Sequence, residues 1–138
     1  MSLSQNIVAS SLLQLKPKRP NDYDCIESCF EFASSCWICV DASLNERDHS
    51  HLNECIKLSL SCAELCAQAA RMLIFQDDYT AEEIEEKVRA CIELCKLCLA
   101  EYTPNSARHE HCLISARCAQ DCIRSCENYL ERNQLLKV

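Results

Sequence analysis

Glycine is absent from all 138 residues, and proline occurs only at positions 17, 20 and 104. Glycine is the residue that takes positive φ without steric cost, and tight β-hairpins depend on it. Its absence disfavours a hairpin-built sheet and points to an all-α chain. No run of roughly 18 apolar residues occurs, so no membrane-spanning helix is expected. Cationic residues are outnumbered, 14 Lys and Arg against 21 Asp and Glu, for a net charge of −7. That balance argues against nucleic acid or an anionic membrane as a partner; it serves solubility. The opening stretch, MSLSQNIVASSLLQLKPKRP, carries its Lys and Arg after its apolar part, the wrong order for a secretory signal. The expectation is a cytosolic protein. There is no nucleophile–base constellation and no phosphate-binding loop, so no enzyme is expected.

What the sequence does hold is fourteen cysteines. In a reducing compartment, clustered thiols point to metal rather than to disulfides. Their spacing is helical. In CIELCKLC, Cys91, Cys95 and Cys98 stand at i, i+4 and i+7, which places three thiols on one stripe of a helix. The same theme recurs three more times.

In chain order, residues 4–15 read as a short amphipathic helix and 16–20 as a basic, proline-broken linker. Residues 1–20 therefore form an N-terminal appendage to a bundle spanning 21–138. The first long helix, about 22–43, is capped by Asn21 or Asp22 and aligns Cys25, Cys29, Cys36 and Cys39, with Phe32 between them. The second, about 48–75, aligns His51, Cys55, Ser59, Cys62, Cys66, Ala69 and Leu73. Thr80 and Glu83 form a capping box for the third, about 81–101, whose stripe is Ile84, Val88, Cys91, Cys95 and Cys98. Pro104, Asn105 and Ser106 punctuate the chain. The fourth, about 106–133, aligns His111, Ser115, Cys118, Cys122, Cys126 and Tyr129, with Cys112 at the edge.

Four such helices with short connections predict an antiparallel up-down-up-down bundle with its cysteine stripes facing one axis. Chain direction then gathers Asp48, His49, His51, His109, His111 and Cys112 at one mouth. It gathers Met72, Leu73, Ile74, Phe75, Ile84, Tyr129 and Leu130 at a closed apolar end. By helical phase, His51 and His111 face the axis, whereas His49 and His109 point off it into solvent. Asp48 reads as a helix-start residue, and Phe30 and Trp37, off the stripe, as packing or oligomer contacts.

Sulfurs at i and i+4 are close enough to hold one ion almost linearly, and Cu(I) accepts two soft thiolates. Zn²⁺ with four thiolates would leave a double negative charge buried at every site, whereas one Cu(I) per thiolate leaves the array neutral. Without metal the thiols must be mostly protonated, behaving as small apolar groups that keep the bundle folded.

The paired motifs Cys25/Cys29, Cys62/Cys66, Cys91/Cys95, Cys118/Cys122, Cys122/Cys126, Cys36/Cys39 and Cys95/Cys98, with the step His111–Cys112, resemble those of the four-helix-bundle copper storage proteins over about residues 22–130. The resemblance implies cytosolic storage of many Cu(I) ions and entry through a histidine-bearing mouth. It also implies a homo-oligomer, a tetramer, with a copper chaperone as candidate partner. Its ligands would be all fourteen cysteines with His51 and His111. Ser59 and Ser115 depart from the pattern, standing where a further thiol would fit. Two other classes stay open. One is an iron–sulfur electron carrier, which needs four thiolates converging at one place. The other is a thiol redox or disulfide-stapled helical protein, which needs an exposed low-pKa cysteine or bridged pairs.

Overall fold

Helix-start chemistry sets the frame. The computed structural model describes residues 20–136, so the expected helix at 4–15 lies outside the described residues. The first helix, α1 (Pro20–Leu44), begins on a proline, whose fixed φ and missing N–H suit the first helical position. Asp48 organises the next turn: its Oδ1 accepts from the Ser50 backbone N–H at 3.1 Å and from Ser50 Oγ at 2.8 Å. The chain there forms a short 3-10 turn, Ser50–Leu52, anchored by the fully buried Leu52. α2 (Asn53–Ile74) therefore starts five residues later than the periodicity predicts, and His51 sits in the turn rather than on the helix.

α3 (Ala81–Asn105) opens with the expected capping box, Thr80 Oγ1 accepting from Glu83 N–H and the Glu83 carboxylate accepting from Thr80 N–H. It runs past Pro104 instead of stopping near 101. In the last turn a proline removes one helical bond at a place where side chains can cover the carbonyls. Thr103 Oγ1 bonds Leu99 O, Asn105 Nδ2 bonds Glu101 O and Ser106 Oγ bonds Tyr102 O. α4 (Glu110–Leu136) begins four residues later than expected, after a turn that holds His109 at the helix entrance.

Each helix packs on two neighbours, α1 with α2 and α4, and α3 with α2 and α4, giving a square antiparallel bundle. Among the described residues there is no strand, and no helix is long and apolar enough to cross a membrane. The core is sulfur and small side chains. Thirteen of the fourteen cysteines are buried, and Ala33, Ala63, Ala69, Ala70 and Ala119 fill the spaces between helices. Ile26, Leu73, Ile84, Val88, Tyr129 and Leu130 close the end away from the histidines. Phe75, expected in that plug, is instead 57% exposed. It caps α2 at φ −100 and ψ 39, outside helical geometry, so the helical phase no longer carries it inward.

Because protonated thiols pack here as small apolar groups, the metal-free protein is expected to be strongly helical by circular dichroism, with little helix added on metal binding. A metal-free chain that is largely unfolded would refute a preformed core.

Candidate metal site

The inner part of the bundle is a continuous array of sulfurs contributed by all four helices. Cys62 lies 3.8 Å from Cys66 on the same face of α2, the i, i+4 pairing expected from the sequence. Cys66 approaches Cys91 at 3.3 Å, and Cys62 approaches Cys95 at 3.7 Å, across to α3. Cys95 meets Cys122 of α4 at 3.9 Å, and Cys122 meets Cys29 of α1 at 3.9 Å. Cys126 completes the path, 3.8 Å from Cys29 and 3.5 Å from Cys25. These separations are well beyond a disulfide bond of about 2.05 Å, and all fourteen cysteines are free thiols.

Within the array, Cys29, Cys91, Cys122 and Cys126 form one quartet and Cys66, Cys91, Cys95 and Cys122 another, each with sulfurs within 4.8 Å of one another. The quartets share Cys91 and Cys122, so they are overlapping stretches of one array rather than two separate tetrahedral pockets. A line of soft ions suits this arrangement better than a single four-thiolate cluster.

Crowding polarises the thiols. Bonds from Cys126 and then Cys29 favour the Cys25 thiolate and lower its pKa to about 6. Cys36 and Cys98 are pushed far up, first by their interaction with Cys62 and then by burial, and stay protonated. The array is thus a mixture of proton-bearing donors and accepting sulfurs, and metal uptake must displace protons.

A layer of hydroxyls crosses the bundle between this array and the mouth. Tyr102 is fully buried; its hydroxyl pairs with Ser59 Oγ of α2 and lies 3.7 Å from Cys36 Sγ. Its ring meets Phe32 edge-on at 6.4 Å. On the α1–α4 side, Ser115 Oγ pairs with Ser35 Oγ at 3.1 Å. Both serines that interrupt the cysteine pattern are thus paired with another hydroxyl, Ser59 with Tyr102 and Ser115 with Ser35. Burial holds the Tyr102 phenol protonated, far above its usual range.

Toward the mouth lie Cys39, Cys55 and Cys112. His111 Nδ1 stands 3.4 Å from Cys39 Sγ and 3.7 Å from Cys112 Sγ, and the three donors form a compact S,S,N group. Cys112 first, then burial, raise the Cys39 thiol well above its ordinary value. At Cys112 the bond from Cys39 works downward, but Cys55 and burial outweigh it and push the thiol up to about 11. Further out, His51 Nε2 lies 2.9 Å from His109 Nε2, with the rings stacked at 5.2 Å. Glu46 Oε1 lies 3.1 Å from His109 Nδ1 and 3.4 Å from His111 Nε2.

The structure thus brings His51 and His111 to the same end and on to the seam, with Cys39 and Cys112 beside His111. Four expectations change. His109 points inward, its side chain only 9% exposed, because it precedes the helix and the phase extrapolated from α4 does not apply to it. Cys112 is central rather than peripheral, since the α4 seam runs Cys112, Ser115, Ala119, Cys122, Cys126 and Tyr129. Cys118 falls off that seam, half-buried beside Ser35. His49 is not simply solvated: among the described residues its buried Nδ1 has no hydrogen-bond partner. Sequence reasoning missed Tyr102, although it stands four residues after Cys98 and continues the seam by one turn. It also missed Glu46, which sits in a turn where no periodicity operates.

Comparison with known proteins agrees with this chemistry. The family model for the copper storage protein matches residues 18–131. The fold is similar to a cytosolic copper storage protein from Streptomyces lividans carrying five coppers, with a TM-score of 0.78 and 31% identity, over 80% of this chain and 92% of that one. It is also similar to the Streptomyces lividans protein Ccsp loaded with 10 copper equivalents, with a TM-score of 0.85 and 29% identity, over 90% and 98% of the two chains. Among curated sequences, the cysteine-rich protein YhjQ of Bacillus subtilis (strain 168) is 28% identical over 104 residues, 75% of this chain and 91% of the relative.

Proposed function

The chain belongs to the copper storage protein family, and from that premise we propose that it is a cytosolic, non-enzymatic store that holds many Cu(I) ions on the thiols of its core. The observation that carries this reading is the unbroken sulfur path from Cys62 through Cys95 and Cys122 to Cys25, with neighbouring sulfurs 3.5–3.9 Å apart along it. Each ion entering a thiol displaces its proton, so RSH and Cu⁺ become RS–Cu and H⁺, and the dry core stays neutral as it fills. The ligands are the thirteen buried cysteines with His51 and His111 at the mouth; Cys118, half-buried on the flank, joins as the outermost. His109 is added to the mouth by its inward position.

The cytosolic assignment rests on the Streptomyces relative. A homo-oligomer is supported by Trp37 and Ile38 of α1 and Leu113 and Ile114 of α4, which stand exposed on two adjacent helices, and a tetramer is the state the family resemblance implies. A copper chaperone is the candidate donor.

Anaerobic titration with Cu(I) against a competing chelator tests the reading. Uptake should reach roughly one Cu(I) per cysteine. Saturation at only a few equivalents, roughly one to four, would sink it in favour of a discrete cluster. Repeating the titration at lower pH should weaken uptake, because the Cys39 thiol is held above its ordinary range and the Cys112 thiol is pushed up to about 11, so both must release protons to bind.

A further inference from the structure

His111 belongs to two donor groups at once. Its Nδ1 faces the thiols of Cys39 and Cys112, at 3.4 and 3.7 Å. Its Nε2 faces Glu46 Oε1 at 3.4 Å. Glu46, His109 and His111 offer one carboxylate oxygen and two imidazole nitrogens, all within 4.8 Å of one another. No sulfur belongs to this outer group. We propose that it is a second metal site, for a divalent cation of intermediate softness such as Zn²⁺, bound by Glu46 Oε1, His109 Nδ1 and His111 Nε2. The fourth position is open to water.

The donor chemistry separates the two sites. Imidazole and carboxylate with an open fourth position suit Zn²⁺, whereas Cu(I) takes the soft thiolates inside. His51 supports the outer site without binding the ion. Its Nε2 lies 2.9 Å from His109 Nε2; once the ion takes the His109 Nδ1 lone pair, the His109 ring proton sits on Nε2 and His51 Nε2 accepts it. Glu46 contributes the only charge among the three donors, and its side chain is 35% exposed, which leaves the ion a route in from solvent. In the empty site the same Glu46 oxygen bonds both imidazoles and keeps them converged.

A neutral imidazole has one lone pair, so His111 cannot hold Cu(I) through Nδ1 and Zn²⁺ through Nε2 at the same time. Zn²⁺ on the outer site therefore withdraws His111 from the inner group and slows Cu(I) entry. This coupling rests on the storage reading; the site itself does not.

The test uses Co²⁺ as a spectroscopic stand-in for Zn²⁺. The Cys39→Ser/Cys112→Ser protein is first loaded anaerobically with Cu(I), which occupies the inner thiols and frees His111. About one Co²⁺ per chain should then bind with weak visible d–d bands and no thiolate-to-cobalt charge-transfer band, and Zn²⁺ should displace it. Glu46→Gln in that background should weaken binding by roughly tenfold or more. Absence of saturable binding, a thiolate band at the first equivalent, or an unchanged affinity in the Glu46→Gln protein overturns the site. If the wild-type core takes up no Cu(I), the storage reading has failed instead, and the difference spectrum with and without Glu46→Gln still reads the outer site. In the otherwise wild-type protein, one equivalent of Zn²⁺ should slow Cu(I) uptake, and Glu46→Gln should abolish that slowing at unchanged Cu(I) capacity. Equal uptake rates with and without Zn²⁺, at a Zn²⁺ concentration that fills the site, overturn the coupling.

Discussion

Replacing His51, His109 and His111 together by alanine is expected to slow both loading and chelator removal of Cu(I) by roughly tenfold or more, with most of the capacity intact. The far end offers no alternative route. Leu73 and Val88 are fully buried there and Ile84 nearly so, and dense apolar packing excludes an ion. Copper must therefore pass the imidazoles, which follow one another from His51 through His109 to His111 with successive ring centres 5.2 Å apart, the first pair stacked and the second tilted. A neutral imidazole can take the ion from a donor and hand it to Cys39 and Cys112, 3.4 and 3.7 Å from His111 Nδ1. The double replacement of His51 and His111 should give a smaller effect, since His109 remains beside Glu46. Stopped-flow measurement of the thiolate–Cu(I) charge-transfer band gives the rates, and circular dichroism confirms that the variant is folded. A triple variant that exchanges copper at the wild-type rate refutes entry through this mouth.

The bundle was legible in the sequence because its information is periodic. Cysteines at i, i+4 and i+7 define a face, and Thr80 with Glu83 defines a start. The antiparallel order then follows from short connections and places the histidines at one end. What periodicity could not reach lies where the chain leaves the helix. His109 sits in a turn, so extrapolating the phase of α4 pointed it outward, although Glu46 and His51 hold it in. Phe75 caps α2 with non-helical dihedrals and escapes the plug for the same reason. On α4 the seam passes through Ala119, not Cys118. There the count of cysteines outweighed the small residue that close helix packing selects. Pro104 signals a stop by sequence, yet in the last turn side-chain bonds from Thr103, Asn105 and Ser106 cover the exposed carbonyls. That extra turn is what keeps Tyr102 on the seam.

Tyr102 then divides the thiols into two populations, and its replacement should change how they fill. Cys39, Cys55 and Cys112 lie on the histidine side; Cys36, Cys62, Cys98 and the array beyond them lie on the other. The hydroxyl pairs with Ser59 and approaches Cys36, and the ring packs edge-on against Phe32, so the side chain is held from both ends. Hydroxyls of Tyr and Ser are poor ligands for Cu(I) compared with thiolate, so an ion crossing this layer leaves good donors behind before reaching new ones. Wild-type loading should accordingly show two phases, a fast one at the mouth and a slower one into the core. Tyr102→Phe retains the ring but leaves Ser59 without its partner, at a stability cost of about 1–3 kcal/mol, and should speed the slow phase modestly. Tyr102→Ala removes the barrier itself. The cavity should cost about 3–5 kcal/mol in the metal-free protein, and the two phases should merge. Copper, binding only the folded bundle, should offset part of that loss, so the variant is best compared after loading as well as before. A single phase in the wild-type protein, or an unchanged slow phase in Tyr102→Ala, would show that the hydroxyl layer does not limit the passage of copper into the core.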